Sequence, residues 1–424
     1  MSPAPGSTRM LGALALPTFA LALGISVLTT YAPLLLGEAT SSAGAIGIAI
    51  GAEGAFALFL PLLVGSLSDR TRTRFGRRIP YALAGVPLLV APLVILPFAH
   101  GYAETVALVS LFFVGYFVYY PPYQALFAEL VPSSHQGRAL GWQGVMRGLG
   151  LGAALVGGGL LLTVWTPLPF VLAAAAVVLA TVVLAREVRG RERRLAVVSE
   201  PPTPGPGVFR LIRERSDVRA FVAANALWEL SFMGLKTFIV LFVVKGLGES
   251  VGTASAVMGV VAGAYVVASF GAGRLADAVG VHRLMRASLW VYGVGLIAGA
   301  GLTSFHSLLI GLPVVALAGA VVMTLPYGIL VGMTPAGAEG ALSGLFSFSR
   351  AVGVSLGPIV VGLAIDGFAP LFPATHGYGA MWIAIGVPIL LSLPFLAALR
   401  REEPEAEAAP ATPLAARDEL ALAA

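Results

Sequence analysis

Runs of roughly twenty consecutive apolar residues recur from one end of this chain to the other, and that feature leaves few folds open. A hydrocarbon layer about 30 Å thick is crossed by about 20 helical residues, and within lipid every backbone N–H and C=O must find its partner inside the segment. The runs predict helices near 11–36, 44–67, 79–99, 103–130, 137–163, 167–186, 219–244, 252–273, 284–303, 307–332, 340–364 and 378–400. With 58% hydrophobic residues, 11% charged residues and a mean hydropathy of +0.90, the chain falls outside the range of soluble domains. The first run is too long for a signal-peptide core and reads as a retained span. There is no cysteine, so disulfides and thiolate metal sites are excluded.

A net charge of +5 could indicate nucleic acid, but the arginines are arranged otherwise. Arg9, the cluster Arg70/Arg72/Arg74/Arg77/Arg78, Arg138, the Arg186–Arg219 group, Arg274/Arg283/Arg286 and Arg400/Arg401 all fall on one side of the expected membrane. Lys245 stands alone on the other. This positive-inside asymmetry predicts a multi-pass protein with both termini and the central loop in the cytoplasm, and no nucleic-acid partner. Few lysines against many arginines, with abundant alanine and glycine, point to a GC-rich bacterium, for which the expected location is the inner membrane.

Residues 187–218 interrupt the hydropathy with an arginine-rich run and the stretch Pro201-Pro-Thr-Pro-Gly-Pro-Gly207, which predicts a semi-rigid linker. The expected organisation is therefore a tail over 1–10, a six-helix bundle over 11–186, the linker, a second bundle over 219–400, and a disordered tail over 401–424. The halves repeat one another. Gly65-x-x-x-Asp69 recurs as Gly273-x-x-x-Asp277, Pro122-Tyr123 as Pro326-Tyr327, and Gly141, Arg147 and Gly150 as Gly344, Arg350 and Gly353. The offsets stay between 203 and 208 residues. Such parallel repeats resemble the major facilitator organisation, which implies an all-α membrane protein of two pseudo-symmetric six-helix bundles and a monomer in the lipid bilayer.

The most specific motif is Gly65-Ser-Leu-Ser-Asp69-Arg70-Thr-Arg72-Thr-Arg74-Phe-Gly76-Arg77-Arg78. A small residue at 65 permits close helix approach, Asp69 suits a helix N-terminus on the opposing half, and the arginines suit acidic partners there. Together with Glu129, Gly273 and Asp277 they form a candidate cytoplasmic gate. Topology alone calls for arginines but not for the Gly-x-x-x-Asp spacing.

The second constellation is charge inside the membrane. Glu53, Arg147, Glu229 and Arg350 each lie about ten residues from the end at which their helix enters the bilayer, near mid-depth. Each costs about 2.5–3.5 kcal/mol if it faces lipid, roughly 10 kcal/mol together, so partners, water or substrate must compensate them. Fixed ion pairs that merely join helices are the plainer reading. Intramembrane ionisable groups more often line transport pathways, and a desolvated carboxylate there can exchange a proton. Glu229, then Glu53, are the candidates for proton coupling. Arg147 and Arg350 are equivalent in the two halves and suit a substrate held between them. Trp228 and Asn225 suit a sugar ring as stacking platform and hydrogen-bonding group, with Tyr31, Tyr123, Gln124 and Tyr327 as further ligands. Lys236, seven residues beyond Glu229, suits either snorkelling to the interface or a site role. Glycines spaced by four (Gly144, Gly148 and Gly152; Gly259 and Gly263; Gly353 and Gly357) mark helices 5, 8 and 11 for close packing. His100, His135, His282, His306 and His376 show no metal-like spacing, no catalytic constellation is present, and no cofactor is implied.

Pro61-Leu-Leu-Val-Gly65-Ser-Leu-Ser-Asp69-Arg70-x-x-x-Arg74-Phe-Gly-Arg-Arg78-x-Pro80 resembles the sucrose transporters of plants and their relatives among the glycoside/pentoside/hexuronide cation symporters. Pro122-Tyr-Gln124-Ala-Leu-Phe-Ala-Glu129-Leu130 is similar to that group's helix 4 motif, with Gln124 in place of arginine and Glu129 in place of aspartate. The resemblance covers about residues 61–150 and implies uptake of a sugar or glycoside coupled to protons. Phe113, Ala57 and Pro61 stand where the group carries intramembrane aspartates, so a sodium site of that design is not expected. The alternatives are proton-coupled efflux of drug-like compounds or metabolites, and a non-transporting sensor or scaffold. The mid-membrane charges speak against the last, because a scaffold gains nothing from their desolvation.

Overall fold

The computed structural model describes residues 8–73, 76–131, 135–188, 212–333 and 339–399. The proline-rich stretch 201–207, Arg74 and the 401–424 tail lie outside the described residues. What is described is almost wholly helical, and twelve helices are long and apolar enough to cross a membrane. They are α1 (Thr8–Ala39), α2 (Ala43–Arg70), α3 (Ile79–Ile95), α4 (Tyr102–Leu130), α5 (Gln136–Gly152, continuing to Val164), α6 (Leu168–Val188), α7 (Ser216–Leu241), α8 (Val251–Val279), α9 (Val281–Ala298), α10 (Phe305–Thr324, continuing as Pro326–Gly332), α11 (Glu339–Phe368) and α12 (Ala380–Leu391, continuing as Leu393–Leu399). The expected ends hold to within a few residues except in α8, which runs on to Val279. An even number of crossings returns both ends of the described chain to one face, the face that carries the arginine clusters. We term it the basic face.

The helices pack as two groups of six. In the first, α1 rests on α5 and α6, and α3 on α4 and α6; in the second, α7 rests on α11 and α12, and α9 on α10 and α12. Phe112, Phe170, Phe221 and Phe238 are fully buried within the groups, whereas Leu62, Ile310 and Val164 are open on the perimeter, 76%, 81% and 75% exposed. Exposed apolar side chains on that scale are a liability in water and the expected coat in lipid.

The halves meet chiefly through α2 and α11. Gly47, Gly51 and Gly54 let the backbones touch: a Cβ at these positions would lie 2.1 Å from the Pro358 carbonyl, 2.5 Å from that of Ser355 and 2.3 Å from that of Ala351. Gly362 answers from α11 against the Ala43 carbonyl. Such small-residue seams are how helices associate where lipid removes any hydrophobic drive between them. The sequence also marks helices 5, 8 and 11, and α5 and α8 do meet across the halves, where a Cβ on Gly259 would lie 3.8 Å from Val156. In α11, Gly353 and Gly357 instead pack on α7 of their own half, and Gly144, Gly148 and Gly152 of α5 have open space around them.

Helix α5 is interrupted by a π turn at Ala153–Gly157. The Tyr31 hydroxyl donates to the Ala154 and Leu155 carbonyls there, at 3.2 Å each. Irregular backbone persists at membrane depth only where protein groups satisfy it.

Candidate functional site

Five charged side chains from four helices converge midway through the bundle. Glu53 of α2 is buried, at 8% exposed, and faces Lys236 of α7 and Arg350 of α11 from the opposite half. Its Oε2 has no hydrogen-bond partner among the described residues. Glu229 of α7 approaches Arg350, with Oε1 3.5 Å from Nε, and also feels Glu53 and Lys236. Gly353, one turn beyond Arg350, permits this: a Cβ there would sit 2.6 Å from that of Glu229 and 2.4 Å from the Ala226 carbonyl. Arg147 of α5 donates to the Tyr120 hydroxyl at 2.9 Å and lies within electrostatic reach of Arg350. Tyr120 stacks on Tyr116 at 5.2 Å and 14°, so α4 presents a flat aromatic wall beside Arg147.

The four intramembrane charges singled out in the sequence are thus brought together, and Lys236 joins them in place of snorkelling to an interface. Of the other expected ligands, Asn225, Trp228, Tyr31 and Tyr123 spend their polar atoms on joining helices. Asn225 is buried and donates to Ser349 Oγ at 2.8 Å, and the Trp228 indole donates to Ser392 Oγ at 2.8 Å, so both join helices within the second half. Tyr31 serves the π turn. Tyr123 donates to the Leu14 carbonyl at 2.7 Å and tethers α4 to α1. Gln124 accepts from Gln143 at 3.2 Å, with its own Nε2 buried and unpartnered among the described residues. Tyr327 is about half exposed, edge-on to Phe346 at 5.5 Å.

At the basic face, the ion pairs of Arg77 and Arg78 with Asp69 and Glu129 lie within one half. Arg78, 6% exposed, reaches Asp69 Oδ1 at 2.6 Å, Glu129 Oε1 at 2.9 Å and Ser68 Oγ at 2.6 Å, while Arg77 reaches Glu129 at 2.8 Å. Gly76 turns the loop with φ 102°, a conformation other residues rarely adopt. Arg70 is exposed, as are Gly273 and Asp277 of α8, and Gly65 has nothing within 4 Å of a built Cβ. Among the described residues, the expected docking of Asp69 on the opposing half is therefore absent from this conformation, and the halves stand apart at this face. Open space around Gly141, Gly144 and Gly148 on α5 and around Gly263 and Gly271 on α8 says the same.

The opposite face is closed, by a device with no local signature in the sequence. Asp366, near the end of α11, accepts from Ser42 Oγ at 2.7 Å, from the Ala43 N–H at 2.8 Å and from the Gly44 N–H at 2.9 Å. A carboxylate from one half caps the N-terminus of α2 in the other, where unpaired N–H groups and the helix dipole favour negative charge. Lys245, after α7, donates to the Gly37 carbonyl at the end of α1. Beside the cap lies a cavity of about 330 Å³ lined by Ser41, Asp366, His376 and Tyr378. Ser42 ahead of an apolar run is a helix-start signature, but no local pattern pairs it with an acid 324 residues away.

The chain matches the Major Facilitator Superfamily profile over residues 14–263 and again over 229–422. Among solved structures it is similar to a bacterial homologue of the human lysosomal transporter Spinster in an inward-facing, occupied conformation, at 16% identity and a TM-score of 0.74, over 93% of this chain and 97% of that one. It is also similar to the nucleoside transporter NupG, at 14% identity and a TM-score of 0.75, over 93% of this chain and all (100%) of that one. No curated protein matches it in sequence.

Proposed function

This chain belongs to the Major Facilitator Superfamily of membrane transporters, and from that premise we propose that it is a proton-coupled carrier importing a small polar solute, a sugar or glycoside, by alternating access. The observation that carries this reading is the meeting of Glu53, Glu229, Lys236, Arg350 and Arg147 at mid-depth, between two halves joined at one face and parted at the other. Ionisable groups kept at that depth and turned inward are the ordinary mark of a transport path.

Protonation of Glu229 would release Arg350 toward the chamber, and Glu53 offers a second carboxylate whose unpartnered oxygen is open to a proton. The alternation has a device at each end. The cap of Asp366 on α2 holds the face opposite the arginines shut. The Asp69/Arg77/Arg78/Glu129 cluster is the reserve for the basic face, made ready within one half and able to engage the other when the halves close there. With the arginines cytoplasmic, the conformation described is open inward. The sugar assignment rests on the motif resemblance over residues 61–150, and superfamily membership is compatible with it.

The test is uptake into proteoliposomes. Labelled sugars should accumulate under an inward-directed proton gradient and not without one. Glu229→Gln should abolish accumulation while counterflow exchange remains measurable. Accumulation that survives in Glu229→Gln would move coupling to another group. Gradient-independent behaviour toward every solute tried would remove the proposal.

A further inference from the structure

Arg147 is the one central charge whose company does not fit a neutral solute. A guanidinium stays protonated at any accessible pH, so its charge must be compensated in place. Glu53 lies opposite Lys236 and Arg350, and Glu229 opposite Arg350. Arg147 has only the Tyr120 hydroxyl, a neutral acceptor, and no carboxylate pairs with it among the described residues. The charged group nearest in effect is Arg350, of the same sign. Arg350 itself is engaged through Nε alone at 3.5 Å; its two terminal nitrogens make no hydrogen bond among the described residues, and its side chain is 52% exposed. Two guanidinium forks, one from each half, are therefore turned to the chamber with donors unused.

Counting all five groups as ionised, three cations (Arg147, Lys236 and Arg350) stand against two carboxylates (Glu53 and Glu229), which leaves one positive charge uncompensated. In the state described, water entering from the basic face can solvate Arg147. When both faces close around a solute that water is largely expelled, and an unpaired cation at mid-depth becomes costly. A neutral solute would leave the cost in place. A solute with a single negative charge would remove it.

We propose that the transported solute is an organic monoanion, a carboxylate or a singly charged phosphate ester, whose oxyanion is clamped between Arg147 and Arg350 and whose body lies along the Tyr116–Tyr120 wall. The proposal rests on the central chamber being the transport path and departs from a neutral sugar, leaving only the acidic sugars and glycosides of that reading. Arginine suits this task because its planar fork meets an oxyanion with two parallel N–H···O bonds. The geometry also links binding to movement: an oxyanion that accepts from both halves draws α5 and α11 together, toward closure of the face that is open here. The stacked rings, at 5.2 Å, supply a flat surface that tolerates a sugar face or an aromatic ring.

Matched probes that differ in charge and little in shape decide the matter. Gluconate is compared with sorbitol, and benzoate with benzyl alcohol, by their effect on the thermal unfolding of the purified full-length protein in lipid nanodiscs, with uptake followed in proteoliposomes. At least one anion should raise the unfolding midpoint saturably by about 2–4 °C while its neutral partner does not. Arg147→Gln should weaken that anion by about 10–100-fold, and Arg147→Lys, which keeps the charge and loses the fork, by less. Arg147→Lys also serves as the informative variant should Arg147→Gln not fold. Neutral partners that stabilise as well as the anions, anions that stabilise both variants like the parent, or no effect from either anion would each overturn the proposal. If neutral sugars are nonetheless accumulated under a proton gradient, the transport reading stands and only the anionic solute falls. If nothing is taken up under any gradient, the transport reading falls with it.

Discussion

Asp366→Asn is the perturbation whose effect follows most directly from the geometry. The carboxylate accepts three hydrogen bonds at 2.7, 2.8 and 2.9 Å from the first residues of α2. Charge-assisted bonds of this kind contribute about 1.5–3 kcal/mol each when shielded, and an anion at an exposed helix start contributes about 0.3–1 kcal/mol. Asp366 is exposed, so water competes and the low end of those ranges applies. Asparagine keeps one oxygen and removes the charge and the second acceptor, for a loss of about 1–2 kcal/mol, or roughly 5–30-fold in the ratio of the two conformations. The sign is fixed by where the cap sits: it exists only while the face opposite the arginines is closed, so the variant shifts molecules toward opening there. The chain has no cysteine, so spin labels can be placed through Glu38→Cys and Glu249→Cys, one in each half near that face, with no background. The labelled protein should show a longer inter-label distance gaining population in Asp366→Asn. An unchanged distance distribution in a folded variant would refute the latch.

Gly47→Ala should push the same equilibrium the same way, because its methyl would lie 2.1 Å from the Pro358 carbonyl; overpacking of that order costs about 1–3 kcal/mol and is read with the same labels. Glu129→Gln removes the carboxylate shared by Arg77 and Arg78 and should lower the thermal midpoint, whereas Asp69→Asn, at a side chain 60% exposed, should change stability by less than about 1 kcal/mol. Asp69→Asn should instead slow turnover at unchanged substrate affinity; equal turnover would count against a gate there. Tyr378, held by burial first and by Asp366 second, has its hydroxyl pushed up from 10.0 to about 12. A raised value favours the protonated form in the fold, so its contribution is complete below pH 10 and lost as the pH rises through about 12. Tyrosinate absorbance should lag that of free tyrosine across this window, and coincident titration would contradict it.

The fold was legible because lipid imposes one rule on every segment, and a rule that acts locally can be read locally. Arg147 and Arg350 were found in the same way: charge inside an apolar run is conspicuous wherever the run folds. Asn225 and Trp228 show where that reading stops. A helix apolar on nearly every side does not reveal which side meets the chamber, and both residues sit one turn or less from Glu229 yet turn into their own half. The glycines of α2 stood at spacings of three and four as plainly as those of α5, but nothing local says which stripe is in contact when a carrier alternates. Asp366 was hidden for a different reason, since its partners are backbone N–H groups, which every sequence has.

The π turn in α5 gives the chain one residue more than a regular helix needs between its anchored outer end and Arg147. Each α-helical residue advances about 100° around the axis, and the wider π turn takes up the surplus so that the helix on either side keeps its phase. Deleting a single residue from Ala153–Gly157 would therefore leave a regular helix with Arg147 still turned toward Arg350, whereas inserting one there would rotate the guanidinium by up to about 100°. The irregularity is thus a spare position, and shortening the helix there by one residue is predicted to lose the Tyr31 contacts while leaving the charge aimed.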